Sequence, residues 1–186
     1  MNTRLLYIYC FFSWSTPAWA AEVSQAYIDH DDGHYLLNLE MKVEAEMETV
    51  YAILTDFDNI HKLNNAIKHS KLLKSEGKHH LIRIEAEGCV WFFCQKVFQT
   101  QWVTEQGNGY ISAVTLPEKS NLEYGRVLWH IRQQEEFTII NYRTDIVPKF
   151  FVPPLIGTYI MKNKMFEEAK QTIQTIERIA QDDENY

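Results

Sequence analysis

The chain has 186 residues, 46% hydrophobic and 13% aromatic, and its 18 Lys and Arg against 25 Asp and Glu give a net charge of −7. That length suits one domain with a real core. The acidic balance argues against nucleic acid as a partner, because most affinity for nucleic acid comes from phosphates neutralised by Lys and Arg, and it disfavours simple electrostatic attachment to anionic lipid.

Residues 1–20, MNTRLLYIYCFFSWSTPAWA, open with Arg4, run through an apolar block from Leu5 to Trp14 and end in Ala18-Trp19-Ala20. Those are the three parts of a secretory signal peptide. A membrane anchor would need about 20 apolar residues, and this block is about half that long before Ser13, Ser15, Thr16 and Pro17 interrupt it. Cleavage after Ala20 would remove Cys10 and Arg4, leaving 166 of the 186 residues, a charge of −8 and two cysteines, Cys89 and Cys94. The expected location is periplasmic or secreted.

Residues 21–34 are polar, carry DHDDGH and read as a linker or frayed terminus. His30, Asp31, Asp32 and His34 could be metal ligands, but no neighbouring Cys or His closes a site, and a solvated segment is the simpler reading. From Tyr35 the pattern alternates, with Tyr35, Leu37, Leu39, Met41 and Val43 on one face of a half-buried strand. The period then changes. Val50, Ile53, Leu54 and Phe57 fall at helical spacing, and Asp58 can cap a second short helix carrying Ile60, Leu63 and Ile67.

Strand-like runs follow at about 68–75, 79–87, 94–104, 110–116, 122–132 and 137–147, separated by EGK, GNG and a polar turn at Gln133–Glu136. Pro148, Pro153 and Pro154 end the sheet region. From about Leu155 to Ala180, Ile156, Tyr159, Ile160, Met165, Phe166, Ala169, Ile173, Ile176 and Ala180 form one broad apolar stripe on a long helix. This order predicts an α+β domain over residues 35–182, a curved antiparallel sheet gripping the C-terminal helix, with a short acidic tail at 183–186.

The order of elements, VEAEMETVYAILTDFDNI at 43–60, LWHI at 128–131 and FFVPPLIG at 150–157 together resemble the START-related helix-grip superfamily (SRPBCC), which includes polyketide cyclases, ubiquinone-binding proteins and birch-pollen-type allergens. The resemblance implies a cavity between sheet and helix for an apolar or amphipathic ligand. Tyr51, Trp102, Tyr110, Trp129, Tyr142 and Tyr159 all sit on elements that should border it, and such rings suit a pocket with an apolar body and a few polar points. Each ring could instead simply fill the core.

Signatures of catalysis are scarce: GxSxG, HExxH and a glycine-rich phosphate loop do not occur, and no cofactor is called for. His130, Arg126, Arg143 and Asp145 could form an acid-base group, but their strand parity opposes Val127, Trp129, Ile131, Ile140, Tyr142 and Ile146. Cross-strand surface pairs are expected instead.

The stretch EGCVWFFCQ at 87–95 needs its own explanation. Five residues of straight strand span about 16 Å and end on opposite faces, whereas a disulfide needs Cα atoms about 4.4–6.8 Å apart. Cys89 and Cys94 can pair only if the chain reverses between them, which makes 88–93 the connection of a hairpin and Val90, Trp91, Phe92 and Phe93 its tip. Free buried thiols or a redox pair are the alternatives, the latter disfavoured by a spacing that is not CxxC.

Three functional classes follow: an exported protein holding a hydrophobic small molecule or lipid, a cyclase or dehydratase using the same cavity, and a module whose 90–93 tip docks a partner or touches a membrane.

Overall fold

A computed structural model describes residues 22–90, 93–152 and 154–184; the N-terminal segment read as a signal peptide lies outside them. Eight segments of alternating side chains form strands β1 (Glu22–Asp31), β2 (His34–Val43), β3 (Ile67–Glu76), β4 (His79–Val90), β5 (Phe93–Gly107), β6 (Tyr110–Thr115), β7 (Leu122–Gln134) and β8 (Phe137–Pro148). They build one antiparallel sheet in the order β1-β2-β8-β7-β6-β5-β4-β3. Consecutive strands pair as hairpins except between β2 and β3. There the helix α1 (Met47–Thr55) and a 3-10 turn at Ile60–Lys62 carry the chain to the opposite edge. The second short helix expected from the sequence is thus a single turn, and Ile67 opens β3.

Residues 22–31 form an edge strand on β2, where the sequence reads as a linker. The reason is a register shift between Val23 and Gln25 that breaks the alternation a strand is recognised by. The reversal into β2 is made by Asp32 and Gly33, both at positive φ (45° and 81°). Asp-Gly is a favoured pair for a two-residue hairpin turn. The His30 ring packs at a tilt against Tyr35, centroids 4.3 Å apart, and His34 bonds Asp145 at 2.8 Å.

The core lies on the concave face. Leu37, Leu39, Met41 and Val43 alternate inward along β2 and meet Val50 of α1, Ile131 of β7, Ile140 of β8 and Ile173 and Ile176 of the long helix α2 (Pro154–Glu184). The entry to α1 is fixed by polar contacts. Thr138 Oγ1 donates to the Ala45 carbonyl at 2.7 Å, and the Met47 N–H donates to Gln133 Oε1 at 2.8 Å, which satisfies one of the free donors of the first turn. Gly109 makes the β5–β6 turn possible: at φ +76° a Cβ would lie 1.9 Å from the Ile131 carbonyl oxygen.

Cys89 and Cys94 are disulfide-bonded, with Cα atoms 4.0 Å apart. Pairing does not stop at the cysteines, however. Cys89 faces Cys94 and Val90 faces Phe93 in the β4–β5 ladder, so the connection is shorter than the 88–93 segment expected. Val and Phe favour extended backbone, which carries the strands past the bridge. Trp91 and Phe92 lie outside the described residues, as do the side chains of Val90 and Phe93. Closing so short a loop should contribute about 2 kcal/mol by restricting the unfolded chain. The double change Cys89→Ser and Cys94→Ser is expected to lower the free energy of unfolding by that amount in urea titration, with ligand uptake preserved.

Candidate functional site: a cavity between sheet and helix

Along α2 the packing changes. In its C-terminal half Ile173, Ile176 and Ala180 are buried against β1, β2 and α1. Further toward its N-terminus Met165, Glu168, Ala169 and Thr172 look across a gap, and the opposite wall of β4 and β6 carries small residues, Ala86, Gly88 and Ala113. Small side chains on facing walls leave a cavity of about 540 Å³. Leu37, Leu39 and Met41 of β2, Leu54, Phe57, Ile60 and Leu63 of the α1 region and Ile82, Ile84, Val97 and Val103 of β4 and β5 give it an apolar lining. Glu87, Gly88, Gln95 and Lys164 stand at one end, beside the disulfide-closed hairpin, and Pro148, Phe150 and Val152 also line the space.

The six rings named from the sequence separate into distinct places. Trp129 and Tyr142 line the cavity and contact each other, ring centroids 4.3 Å apart. Trp102 does not: Gln101 and Val103 face inward, and Trp102 stands on the convex face opposite Leu81 and Val114. Tyr110 is also on that face, 37% exposed and stacked on His130 with centroids 4.0 Å apart. Both sit on strands that border the cavity, as expected, but the pleat turns Gln101 and Ile111 inward in their place. Tyr51 packs on the core without lining the cavity. The side chain of Tyr159 lies outside the described residues.

His130, Arg143 and Asp145 point outward, as their parity requires. Arg143 donates through Nε to Asn38 Oδ1 at 2.6 Å, and Asp145 pairs with His34. Arg126 lies over the Tyr124 ring at 5.9 Å. His130→Ala is accordingly expected to leave the affinity for an apolar fluorophore within about twofold of wild type, read by fluorescence titration; a loss of an order of magnitude would place the imidazole in the site.

A polar cluster that the sequence reading missed lies at the Phe57 end. Tyr51 donates to Glu105 Oε2 at 2.6 Å, the other Glu105 oxygen is 2.8 Å from His80 Nε2, and His80 Nδ1 is 3.0 Å from Ser75 Oγ. The Phe57 ring packs on His80, centroids 4.9 Å apart. None of these four polar residues lines the cavity. They tie α1 to β3, β4 and β5, and only the tertiary fold brings the four together.

Burial pushes the ionisation of Tyr142 well above the ordinary phenol range, and burial together with Glu105 does the same for Tyr51. A phenol whose pKa is raised on folding stabilises the protein fully below the unfolded value of about 10, and this contribution is lost as pH climbs from there toward the folded value. Tyr142→Phe should therefore remove part of the alkaline loss of stability above about pH 10. Each such group contributes a slope of up to about 1.4 kcal/mol per pH unit, measurable by urea titration between about pH 9 and 11.

Among polar groups at the wall, Asn64 fixes the helix. Its Nδ2 donates to the Glu168 carbonyl at 3.0 Å and to Thr172 Oγ1 at 3.1 Å, while its Oδ1 accepts from the Ala66 N–H. Lys164 forms an ion pair with one Glu168 oxygen. Gln95, Gln99 and Gln101 enter from β5.

No family model and no curated protein matches the sequence. Solved structures do match the fold. A START superfamily protein from Mycobacterium smegmatis superposes with a TM-score of 0.61 at 17% identity, covering 81% of this chain and 99% of that one. The Zhui aromatase/cyclase from Streptomyces sp. R1128 gives 0.59 at 13%, covering 80% and 94%. A STAR-related lipid transfer protein from Xanthomonas axonopodis gives 0.59 at 12%, covering 84% and 98%. Element order, sheet topology and these superpositions agree that the chain has the helix-grip fold of the START-related superfamily.

Proposed function

We propose that the chain is an exported binding protein that holds a hydrophobic small molecule or lipid between the sheet and α2. The cavity carries this reading. Close-packed interiors hold few voids larger than a water molecule, whereas ligand pockets run to about 300–1,000 Å³; a 540 Å³ space with largely apolar walls belongs to the second kind. That one fold neighbour is named a lipid transfer protein agrees with it. A lipid-sized ligand burying several hundred Å² of apolar surface gains several kcal/mol at about 25 cal/mol per Å², before ordering costs. Native mass spectrometry of protein purified from its own source should show a bound apolar mass that leaves on denaturation. Ligand-free protein that also fails to take up a neutral fluorophore such as Nile red would overturn the reading.

Export rests on the first 20 residues and agrees with a disulfide, which persists in oxidising compartments. N-terminal sequencing should begin at Ala21-Glu22-Val23.

A second reading, cyclase-type chemistry, draws on another fold neighbour and on Glu168, a carboxylate at the wall of the cavity. Binding is favoured over it. An amide such as Gln101 neither gives nor takes protons at neutral pH, and the His80 and Glu105 pair stands outside the lining. Recovery of a bound ligand chemically unchanged after long incubation supports binding; conversion that Glu168→Gln stops would support the enzyme.

A further inference from the structure

The positive charge of this acidic chain is unevenly laid out. Of the five arginines among the described residues, Arg178 lies on α2, while Arg83, Arg126, Arg132 and Arg143 alternate with the inward-facing Ile82, Val127, Ile131 and Tyr142 and so stand on the convex face of the sheet. Between them runs an apolar strip. In register, Leu81, Trp102 and Val114 lie side by side across β4, β5 and β6, Val114 meets Arg126 of β7, and two residues further along β7 Leu128 meets Arg143 of β8. Val114 is 48% exposed and Leu128 37%.

Arg126 and Arg143 are exposed diagonal neighbours, about 7–8 Å apart across the β7–β8 pair, and neither is paired with a carboxylate among the described residues. Asp145 faces Arg126 in the ladder but is held by His34 at 2.8 Å. Arg126 lies over the Tyr124 ring instead, and Arg143 donates through Nε to Asn38. Two like charges set side by side repel, and each guanidinium keeps N–H groups that would pair well with a carboxylate. We propose that this face docks an acidic segment of a partner protein, whose carboxylates pair with Arg126 and Arg143 while its apolar side chains cover Val114, Leu128 and Trp102.

Composition and shape favour a protein over the other occupants. Trp, Tyr and Arg are the residues that anchor protein interfaces, and the planar fork of arginine takes a carboxylate with two parallel bonds. A bilayer calls for side chains raised above the surface. Here Val114, Leu128 and Tyr110 are each less than half exposed, and Tyr110 is held by its stack on His130. A second copy fails on charge, because two-fold pairing of this face with itself would crowd two sets of arginines together. Five strands at about 4.8 Å and eight steps from Tyr124 to Arg132 at about 3.3 Å give on the order of 600 Å², the share of one partner in a small, transient interface. The inference goes beyond ligand binding and does not depend on it.

The test places the photo-crosslinking residue p-benzoylphenylalanine at Val114, and as a control at the exposed Gln174 of α2, in the full chain expressed in its own cells. Irradiation is expected to give one protein adduct from position 114 and not from 174, with several Asp and Glu flanking the crosslinked site of the partner. Arg126→Glu with Arg143→Glu should cut its yield at least tenfold while Nile red uptake by the purified variant stays within about twofold of wild type. Should that pair fail to fold, Arg126→Gln with Arg143→Gln gives the same readout without adding carboxylates. No adduct, the same adduct from both positions, a yield that survives the arginine changes, or a crosslinked site without acidic neighbours would overturn the proposal. A lipid adduct would assign the face to a bilayer and a homodimeric one to a second copy, and either overturns it too. Nile red uptake, read on the same preparations, keeps these outcomes separate from the fate of the cavity.

Discussion

Replacing Ala169 with Trp should abolish uptake of a lipid-sized ligand, by about 100-fold or more, while leaving the protein folded. Ala169 is buried on α2 and its methyl faces the cavity from the middle of the helix wall. An indole there enters empty space that a ligand would otherwise use. Inserting bulk into a packed core costs about 1–3 kcal/mol, but filling a void recovers contacts that the lining otherwise lacks, so stability should hold or rise. Binding loses area instead: each 1.4 kcal/mol of apolar contact displaced is a factor of ten in affinity, and an indole removes enough for two such factors. Nile red titration and thermal unfolding on the same sample separate the effects. Wild-type affinity in a folded variant would place the ligand elsewhere. Unfolding of this variant together with Ala113→Leu, on the facing strand, would mean the walls already touch.

Strand parity was the most legible part of the site. The alternation through Trp129, His130 and Ile131, and through Tyr142, Arg143 and Thr144, reads directly as inward and outward positions, and the structure places Trp129 and Tyr142 at the cavity and His130 and Arg143 outside it. Trp102 and Tyr110 failed for an instructive reason. They were placed by the strands that carry them, while the pleat assigned the interior to Gln101, Val103, Ile111 and Ala113. An aromatic on the convex face and a glutamine on the concave one invert the usual correlation, and only register distinguishes them. Register was obscured by irregularities, one between Glu105 and Gly107 before the β5–β6 turn and another near Ser24 that hid β1. The bond between Tyr51 and Glu105, 54 residues apart, has no local signal at all. The disulfide was legible because strand geometry left only a reversal by which Cys89 and Cys94 could meet.

Two truncations on the same helix should differ by severalfold in cost. Ile173 is fully buried in the cluster with Leu37, Val43, Val50 and Ile140, whereas Met165, two turns toward the N-terminus, is partly buried and faces the cavity. Cutting Ile173 to Ala removes three methyl or methylene groups from a close-packed site and leaves a new void whose walls cannot collapse, because β2 and α1 hold them. Such changes cost about 2–5 kcal/mol, and about 3 is expected here. Met165→Ala removes atoms that already have empty space on one side, so it creates no new cavity wall and forfeits fewer contacts; about 1 kcal/mol is expected. Urea titration with an unchanged m-value reads both. Ligand affinity should move the other way, with Met165→Ala altering uptake and Ile173→Ala leaving it near wild type under conditions where the variant stays folded. Equal stability losses would show that the N-terminal half of α2 closes onto the sheet in solution as tightly as the C-terminal half does. The space would then open only when a ligand wedges it apart, and affinity would carry the cost of opening.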